Sequence, residues 1–290
     1  MQNNMEKKII LVTGASDGIG KETAKQLARK GHSVIMHGRN PEKTQKAFEE
    51  VKAATGSTEL SYTLGDFSSL AGVKEFAQKI LAKTDRLDVL INNAGAQFSS
   101  RNETPEGHEM TMQVNLLAPF LLTSLLMPLL QKSPSARVVT VSSAAHKMGG
   151  APLLDDMDLK DNFSLTRSYG LSKLYVIWAM RHFVKDCRAK GIGNVTFNLT
   201  HPGSAMTRLA RDTSKNPLFA IVGILWLPMM NSVAKGAWPS VHEATAPELE
   251  GVSLKYFGPK GEDKISDKFW SEEAEQKVWD WCMEATRDFR

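Results

Sequence analysis

The sequence predicts an α/β protein: a doubly wound parallel sheet of about seven strands, flanked by helices, in a single domain spanning residues 1–290. Three observations predict it. Short, nearly continuous apolar runs recur along the chain, as strands buried on both faces require. Helical patterns with recognisable caps separate them, which suits crossover connections between parallel strands. No Pro/Gly/Ser-rich linker divides the chain, and 290 residues with 42% apolar and 23% charged residues suffice for one large core.

Taken in order, the strand-like runs are IILVT from Ile9, SVIMH from Ser33, LSYTL from Leu60, DVLIN from Asp88, RVVTV from Arg137 and VTFNLT from Val195. VSLKYF from Val252 is a candidate seventh. After the first run, KETAKQLARK reads as a helix stopped by Gly31. After the second, Asn40 and Pro41 supply an N-cap and a first-turn proline for EKTQKAFEEVKAA. SEEAEQKVWDWCMEA from Ser271 closes the chain as a helix with a serine cap and an acidic first turn.

Charge and composition exclude some functions. Thirty-six basic against 32 acidic residues give +4, spread without a basic block, so the footprint of nucleic-acid binding is missing. Cys187 and Cys282 lack metal-ligand or CxxC spacing and fit buried or free thiols in a reducing compartment; no metal site is expected. The segment MQNNMEKKIILVTG has no apolar signal-like region, and a cytoplasmic location is expected. Two apolar stretches, LLAPFLLTSLLMPLL from Leu116 and PLFAIVGILWLPMM from Pro217, are shorter than the roughly 20 residues a spanning helix needs, and both contain proline. The first reads as a core or interface helix. For the second, a substrate pocket, a core or dimer helix and shallow membrane insertion all remain open.

The loops carry the chemistry. TGASDGIG follows the first strand directly, with Gly14, Gly18 and Gly20 leading into a helix. Glycines permit a tight turn and close backbone approach, and the helix N-terminus offers N–H groups to a pyrophosphate. Gly14, Ser16, Asp17, Gly18, Ile19 and Gly20 are therefore candidate dinucleotide contacts. At the end of the second strand stands HGRN, where an acid would bind a ribose 2′-hydroxyl and an arginine a 2′-phosphate. Arg39 predicts NADP(H), although Asp17 nearby disfavours extra phosphate charge.

TGASDGIG, NNAG at Asn92 to Gly95, VSS at Val141 to Ser143 and YGLSK from Tyr169 occur in that order. Together they resemble the short-chain dehydrogenase/reductase family, over essentially the whole chain. HGRNPEK, LGDFSSL, THPGSAMTRL and KVWDW resemble its retinol-dehydrogenase-like branch. The resemblance implies a Rossmann-type fold and an oxidoreductase acting on a small-molecule carbonyl or alcohol. It implies cofactor contacts from Asp66 and Phe67 to the adenine, from Asn93, Ala94 and Gly95 along the adenosine side, and from Pro202, Gly203 and Thr207 to the nicotinamide carboxamide. It also implies four catalytic residues. Tyr169 is the general acid/base, Lys173 the cation that holds the ribose and acidifies the phenol, Ser143 the donor to the substrate oxygen, and Asn115 the residue that bends its helix and holds a water linking Lys173 to solvent. Ser142 competes with Ser143. His146 and His201 are assigned structural roles.

Tyr169 and Lys173 are four positions apart, one turn of a helix, so their side chains converge. A positive charge about 4 Å from the phenol, at an effective dielectric of ~20, is worth roughly 4 kcal/mol, or about three pKa units. That is enough to bring a phenol toward neutrality. Ser143 lies 26 positions before Tyr169, and the intervening AAHKMGGAPLLDDMDLKDNFSLTR is expected over the substrate. Residues 204–250 are expected to form a lid for a lipophilic substrate, with Trp226 and Met229 among its apolar side chains. An NADPH-binding sensor on the same scaffold is the alternative, but such a sensor is expected to lose the tyrosine or lysine. A nucleotide-sugar epimerase is disfavoured by the glycine spacing and the missing acid. Whether the chain is a homodimer stays open.

Overall fold

The computed structural model describes residues 6–203 and 232–290. Six strands lie where the apolar runs predict them: β1 (Ile9–Val12), β2 (Ser33–Gly38), β3 (Leu60–Leu64), β4 (Val89–Asn92), β5 (Ala136–Val141) and β6 (Val195–Thr200); a seventh, β7 (Tyr256–Gly258), overlaps only the last two residues of VSLKYF. These seven run parallel. A two-residue β8 (Gly261–Glu262) then pairs antiparallel with β7 and makes the sheet eight-stranded. So short a strand has no periodicity to detect. The order is β3-β2-β1-β4-β5-β6-β7-β8, so the connections reverse direction between β1 and β4. A crevice opens there at the carboxyl ends of the strands, the usual place for a ligand in such a sheet.

Local chemistry starts each helix. Asp17 caps α1 (Gly18–Arg29), Asn40 caps α2 (Pro41–Thr55) and Ser69 caps α3 (Leu70–Lys83), each side chain accepting a hydrogen bond from a first-turn N–H. Four more helices follow: α4 (Met110–Leu130), α5 (Leu165–Ala189), α6 (Val233–Thr245) and α7 (Glu272–Ala285). Side chains of α1, α2 and α6 bury against one face of the sheet with Ile10, Val12, Val34 and Met36. Those of α3, α4 and α5 bury against the other with Leu11, Leu90 and Val138, and α7 packs outside α5.

Three expectations need correction. The apolar stretch from Leu116 is a core helix as read, but it belongs to a 21-residue helix and so is long and apolar enough to cross a membrane; 72% of its apolar window is buried inside the fold, because the helix lies on the sheet between α3 and α5. The proposed lid does not reach residue 250: α6 buries Ala237, Val241 and Ala244 and packs on α1 and β5 as a layer of the fold. Residues 204–231, with Thr207, Trp226 and Met229, lie outside the described residues. The insert after Ser143 is also largely structural. Met157 and Leu159 join the core, and the Asp158 carboxylate accepts from the Glu109 N–H at 3.0 Å and lies 3.2 Å from His108 Nδ1.

Candidate active site

At the switch point β1 is followed by Thr13, whose hydroxyl accepts from the N–H groups of Asn93 and Ala94, both at 2.9 Å. Asn93 returns the contact, its Nδ2 donating to Thr13 O at 2.7 Å and Gly14 O at 3.3 Å. The NNAG stretch thus clamps the Gly-rich turn to β4. Gly14 and Gly18 adopt φ of +64° and +52°, a region that favours glycine. Gly20 is required for another reason: a β carbon there would collide with the Gly14 carbonyl and Asn93 Nδ2.

The cleft above this turn measures about 440 Å³. Among the predicted residues, Gly14, Ser16, Asp17, Gly18, Ile19, Gly20, Arg39, Asp66, Phe67, Asn93, Ala94, Gly95, Tyr169, Lys173 and Pro202 all line it. Gly203 stands beside Pro202 at φ +65°, outside the lining; Thr207 is not among the described residues. Asp66 does not cap α3, a role Ser69 takes; its carboxylate accepts from the Ser68 N–H at 3.0 Å in a local turn and is exposed to the cleft.

Two of the lining residues that sequence reasoning missed bear on the chemistry. Lys43, in the first turn of α2, sits beside Arg39 and pairs with Asp17 at 2.9 Å, so the loop carboxylate that seemed unfavourable to phosphate is answered by a cation. His37 is the other. Its Nδ1 accepts from the Gly14 N–H at 3.0 Å, Nε2 lies 3.1 Å from Gly65 O, and the ring stacks on Phe67 at 4.1 Å. Because an amide N–H only donates and a carbonyl only accepts, the ring is neutral with its proton on Nε2. Burial lowers its pKa to about 4, which keeps it so. A histidine inside an otherwise apolar strand was the available signal.

At the other end of the cleft, α5 presents Tyr169 and Lys173 on one face. The ammonium nitrogen lies 5.8 Å from the centre of the phenol ring and donates to Val141 O at 2.9 Å. Ser143 hydrogen-bonds with the Tyr169 hydroxyl. Ser142, although it lines the cleft, gives its hydroxyl to Lys173 O at 2.8 Å, which leaves Ser143 as the serine facing the tyrosine. Asn115 stands in a π-turn, Gln113–Leu117, that opens α4. Its Oδ1 accepts from Ala96 N–H at 2.8 Å, while Nδ2 donates to Ala96 O at 2.9 Å and to Ser172 Oγ at 3.0 Å. It sits in that π-helical stretch of the helix and fixes the loop after NNAG to α5. A side chain at Gly95 would press on Asn115 Oδ1 and Lys173 Nζ, at 3.2 and 3.3 Å.

The expected acidic phenol is not what the structure holds. Burial raises the Tyr169 pKa, with the Ser143 hydrogen bond working against it, and burial lowers Lys173 to about 8. The lysine stands over the ring face, 5.8 Å from its centre, and burial disfavours its charged form as well. Burial thus moves the two pKa values apart, favouring the neutral phenol and easing loss of the ammonium proton.

The model of the short chain dehydrogenase family matches residues 8–218. The chain belongs to that family. Among curated relatives of this short-chain dehydrogenase, human retinol dehydrogenase 14 is 36% identical over 95% of this chain and 85% of its own length. Human polyprenol dehydrogenase is 34% identical over 96% and 85%. A solved short chain dehydrogenase from Shigella flexneri, complexed with NADP, is 26% identical and superposes with a TM-score of 0.67 over 90% of this chain and all of that one. One from Escherichia coli, complexed with NADPH, is 25% identical, with a TM-score of 0.66 over 90% and 99%.

Proposed function

We propose that this short-chain dehydrogenase is an NADP(H)-dependent oxidoreductase that interconverts a lipophilic carbonyl compound and its alcohol. The observation that carries the reading is one continuous cleft with Arg39 and Lys43 at one end and Tyr169 and Lys173 at the other, where Ser143, outside the lining itself, hydrogen-bonds the tyrosine. The cradle fits a dinucleotide: glycine backbone approaches where side chains would collide, α1 turns its N-terminus to the cleft, and two cations suit a 2′-phosphate. Ser16, Arg39 and Lys43 would hold the phosphate end, Asp66 and the Phe67 backbone the adenine, and Lys173 with the Pro202–Gly203 turn the nicotinamide end.

A bound nicotinamide supplies or accepts the hydride. The chain's own groups manage the proton and the oxygen. Ser143 donates toward the substrate oxygen as negative charge develops there, and the Tyr169 hydroxyl delivers its proton to that oxygen. In the oxidative direction the same groups work in reverse. The Lys173 charge stabilises the phenolate left behind, and Asn115 holds the loop and helix between which that lysine is fixed.

Names of the relatives support a lipophilic substrate, because retinol and a polyprenol are both long apolar alcohols. A cytoplasmic location is part of the reading; among the described residues the helix long and apolar enough to cross a membrane, α4, is mostly buried in the fold, and recovery of the protein in the carbonate-resistant membrane pellet would contradict that location. The functional test is a panel of long-chain aldehydes, ketones and retinoid carbonyls, with NADPH and NADH side by side at the nicotinamide absorbance. Turnover of an apolar carbonyl with NADPH preferred is expected. Tight NADPH binding with no turnover across the panel would favour a sensor.

A further inference from the structure

His146 and His201 contact neither end of the cleft as acid, base or ligand, and the described residues contain no cluster of groups able to hold a metal. Each histidine nevertheless joins one loop of the site to the chain segment after β8. His146 sits in the 3-10 turn Ala144–Lys147, directly behind Ser143. Its Nδ1 is 2.7 Å from Ser143 O, and its Nε2 is 3.2 Å from the N–H of Ser266, 120 positions later in the chain. A carbonyl accepts and an amide N–H donates, so these bonds allow only the neutral ring with its proton on Nδ1.

His201 is built the opposite way round. Its Nδ1 accepts from the Gly203 N–H at 3.1 Å, and its Nε2 donates to the Asp263 carboxylate at 2.9 Å. The Tyr256 ring lies between the two histidines, 5.8 Å from one and 5.1 Å from the other. Gly258 makes room for this, since a β carbon there would collide with the His201 ring. Both rings are buried, at 3% and 7% exposure.

We propose that His146 is a positioning residue for the reaction: it ties the Ser143 backbone to Ser266, as His201 ties the Pro202–Gly203 turn to Asp263, so that segment 263–266 sets the spacing of the serine hydroxyl and the nicotinamide loop. The inference rests on the roles given above to Ser143 and Tyr169. Its logic is geometric. Ser143 is half-buried at a loop; the His146 ring and backbone N–H both bond its carbonyl, and the ring alone carries that hold on to Ser266, while the serine hydroxyl meets Tyr169. A displacement of about 1 Å at such a group is enough to lower a rate markedly without touching cofactor affinity.

Protonation of either ring places a second donor against an N–H, Ser266 for His146 and Gly203 for His201, and breaks the tie. Lys147 from the 3-10 turn faces both rings and opposes protonation, as His201 does for His146; Asp263 from the segment after β8 favours it, and the Tyr256 ring from β7 packs against both. Burial outweighs these and keeps both rings below their ordinary pKa. The ties are therefore complete at neutral pH and weaken on acidification.

The test compares H146A and H146N with wild type and Y169F, using the carbonyl found active in the panel, with NADPH affinity titrated by fluorescence for each. Loss of the Nδ1 donor in H146A is expected to lower kcat about tenfold with the NADPH Kd within about twofold of wild type. H146N keeps a donor near the Nδ1 position and is expected to recover most of the loss. D263A, a change at a half-exposed side chain that removes the His201 acceptor, is expected to lower kcat in the same direction and guards against a misfolded H146A. Overturning results are a kcat for H146A within about twofold of wild type, or H146A and H146N equally impaired. An active wild type with a dead Y169F keeps the underlying reading intact whatever the histidine variants do.

Discussion

At Arg39 and Lys43 cofactor choice is a matter of charge within a few ångströms of Ser16 and Gly38. Replacing Arg39 by aspartate inverts the charge at the expected 2′-phosphate position, and the ratio of kcat/KM for NADPH over NADH should fall by about 100-fold or more, measured at one ionic strength. K43A removes a second cation from the expected 2′-phosphate end, so NADPH affinity should drop about tenfold with NADH nearly unaffected. An unchanged selectivity in R39D would place the phosphate elsewhere. Lys173 gives a pH signature. Its pKa of about 8 means that the ammonium is lost as pH rises through that value, so NADPH affinity, titrated by fluorescence from pH 6 to 10, should weaken on the alkaline side. That alkaline limb should vanish in K173M.

At the scale of elements, the Gly-rich turn depends on three interlocked approaches: Gly14 to Ala94, Gly20 to Gly14, and Asn93 to both. G20A forces a methyl into that contact. It should destabilise the protein by about 1–3 kcal/mol in urea unfolding and weaken cofactor binding together, because the clash must move the loop itself. A G20A variant of unchanged midpoint would show that the turn is looser than described. The same elements show what a sequence can and cannot announce. Six of the seven parallel strands were legible because burial on both faces leaves an apolar run, and Tyr169 and Lys173 were legible because helix spacing alone brings them together. Lys43 was not, since its partner Asp17 is 26 positions away and meets it only when α1 and α2 lie side by side. The roles of His146 and His201 were hidden likewise: the residues they bind, Ser266 and Asp263, follow a two-residue strand that leaves no pattern. The acidified phenol failed because spacing gives proximity but says nothing of desolvation, which acts on both members of the pair.

Across the whole molecule, the sheet buries polar rings that must stay neutral. His37 is 4% exposed with a pKa lowered to about 4, against about 6.5 in the unfolded chain. As pH falls below about 6.5 the unfolded chain takes up the proton first, so the stability tied to the neutral ring is full above that pH and is lost progressively down to about 4. For His37 alone the loss is about 3 kcal/mol. Thermal melts from pH 7.5 to 4 should show a falling midpoint, with a shallower slope in H37Q; parallel slopes would remove this histidine from the account. The Gly-rich turn shares the effect, because a protonated His37 no longer accepts from Gly14.

The central claim is that one cleft joins a dinucleotide cradle to a tyrosine that moves the substrate's proton. Single-turnover mixing of the NADPH-loaded enzyme with an active carbonyl, wild type beside Y169F, tests it most directly. The account predicts the same stoichiometric NADPH binding in both proteins and loss of nicotinamide absorbance in wild type alone. Comparable single-turnover rates in the two would contradict it.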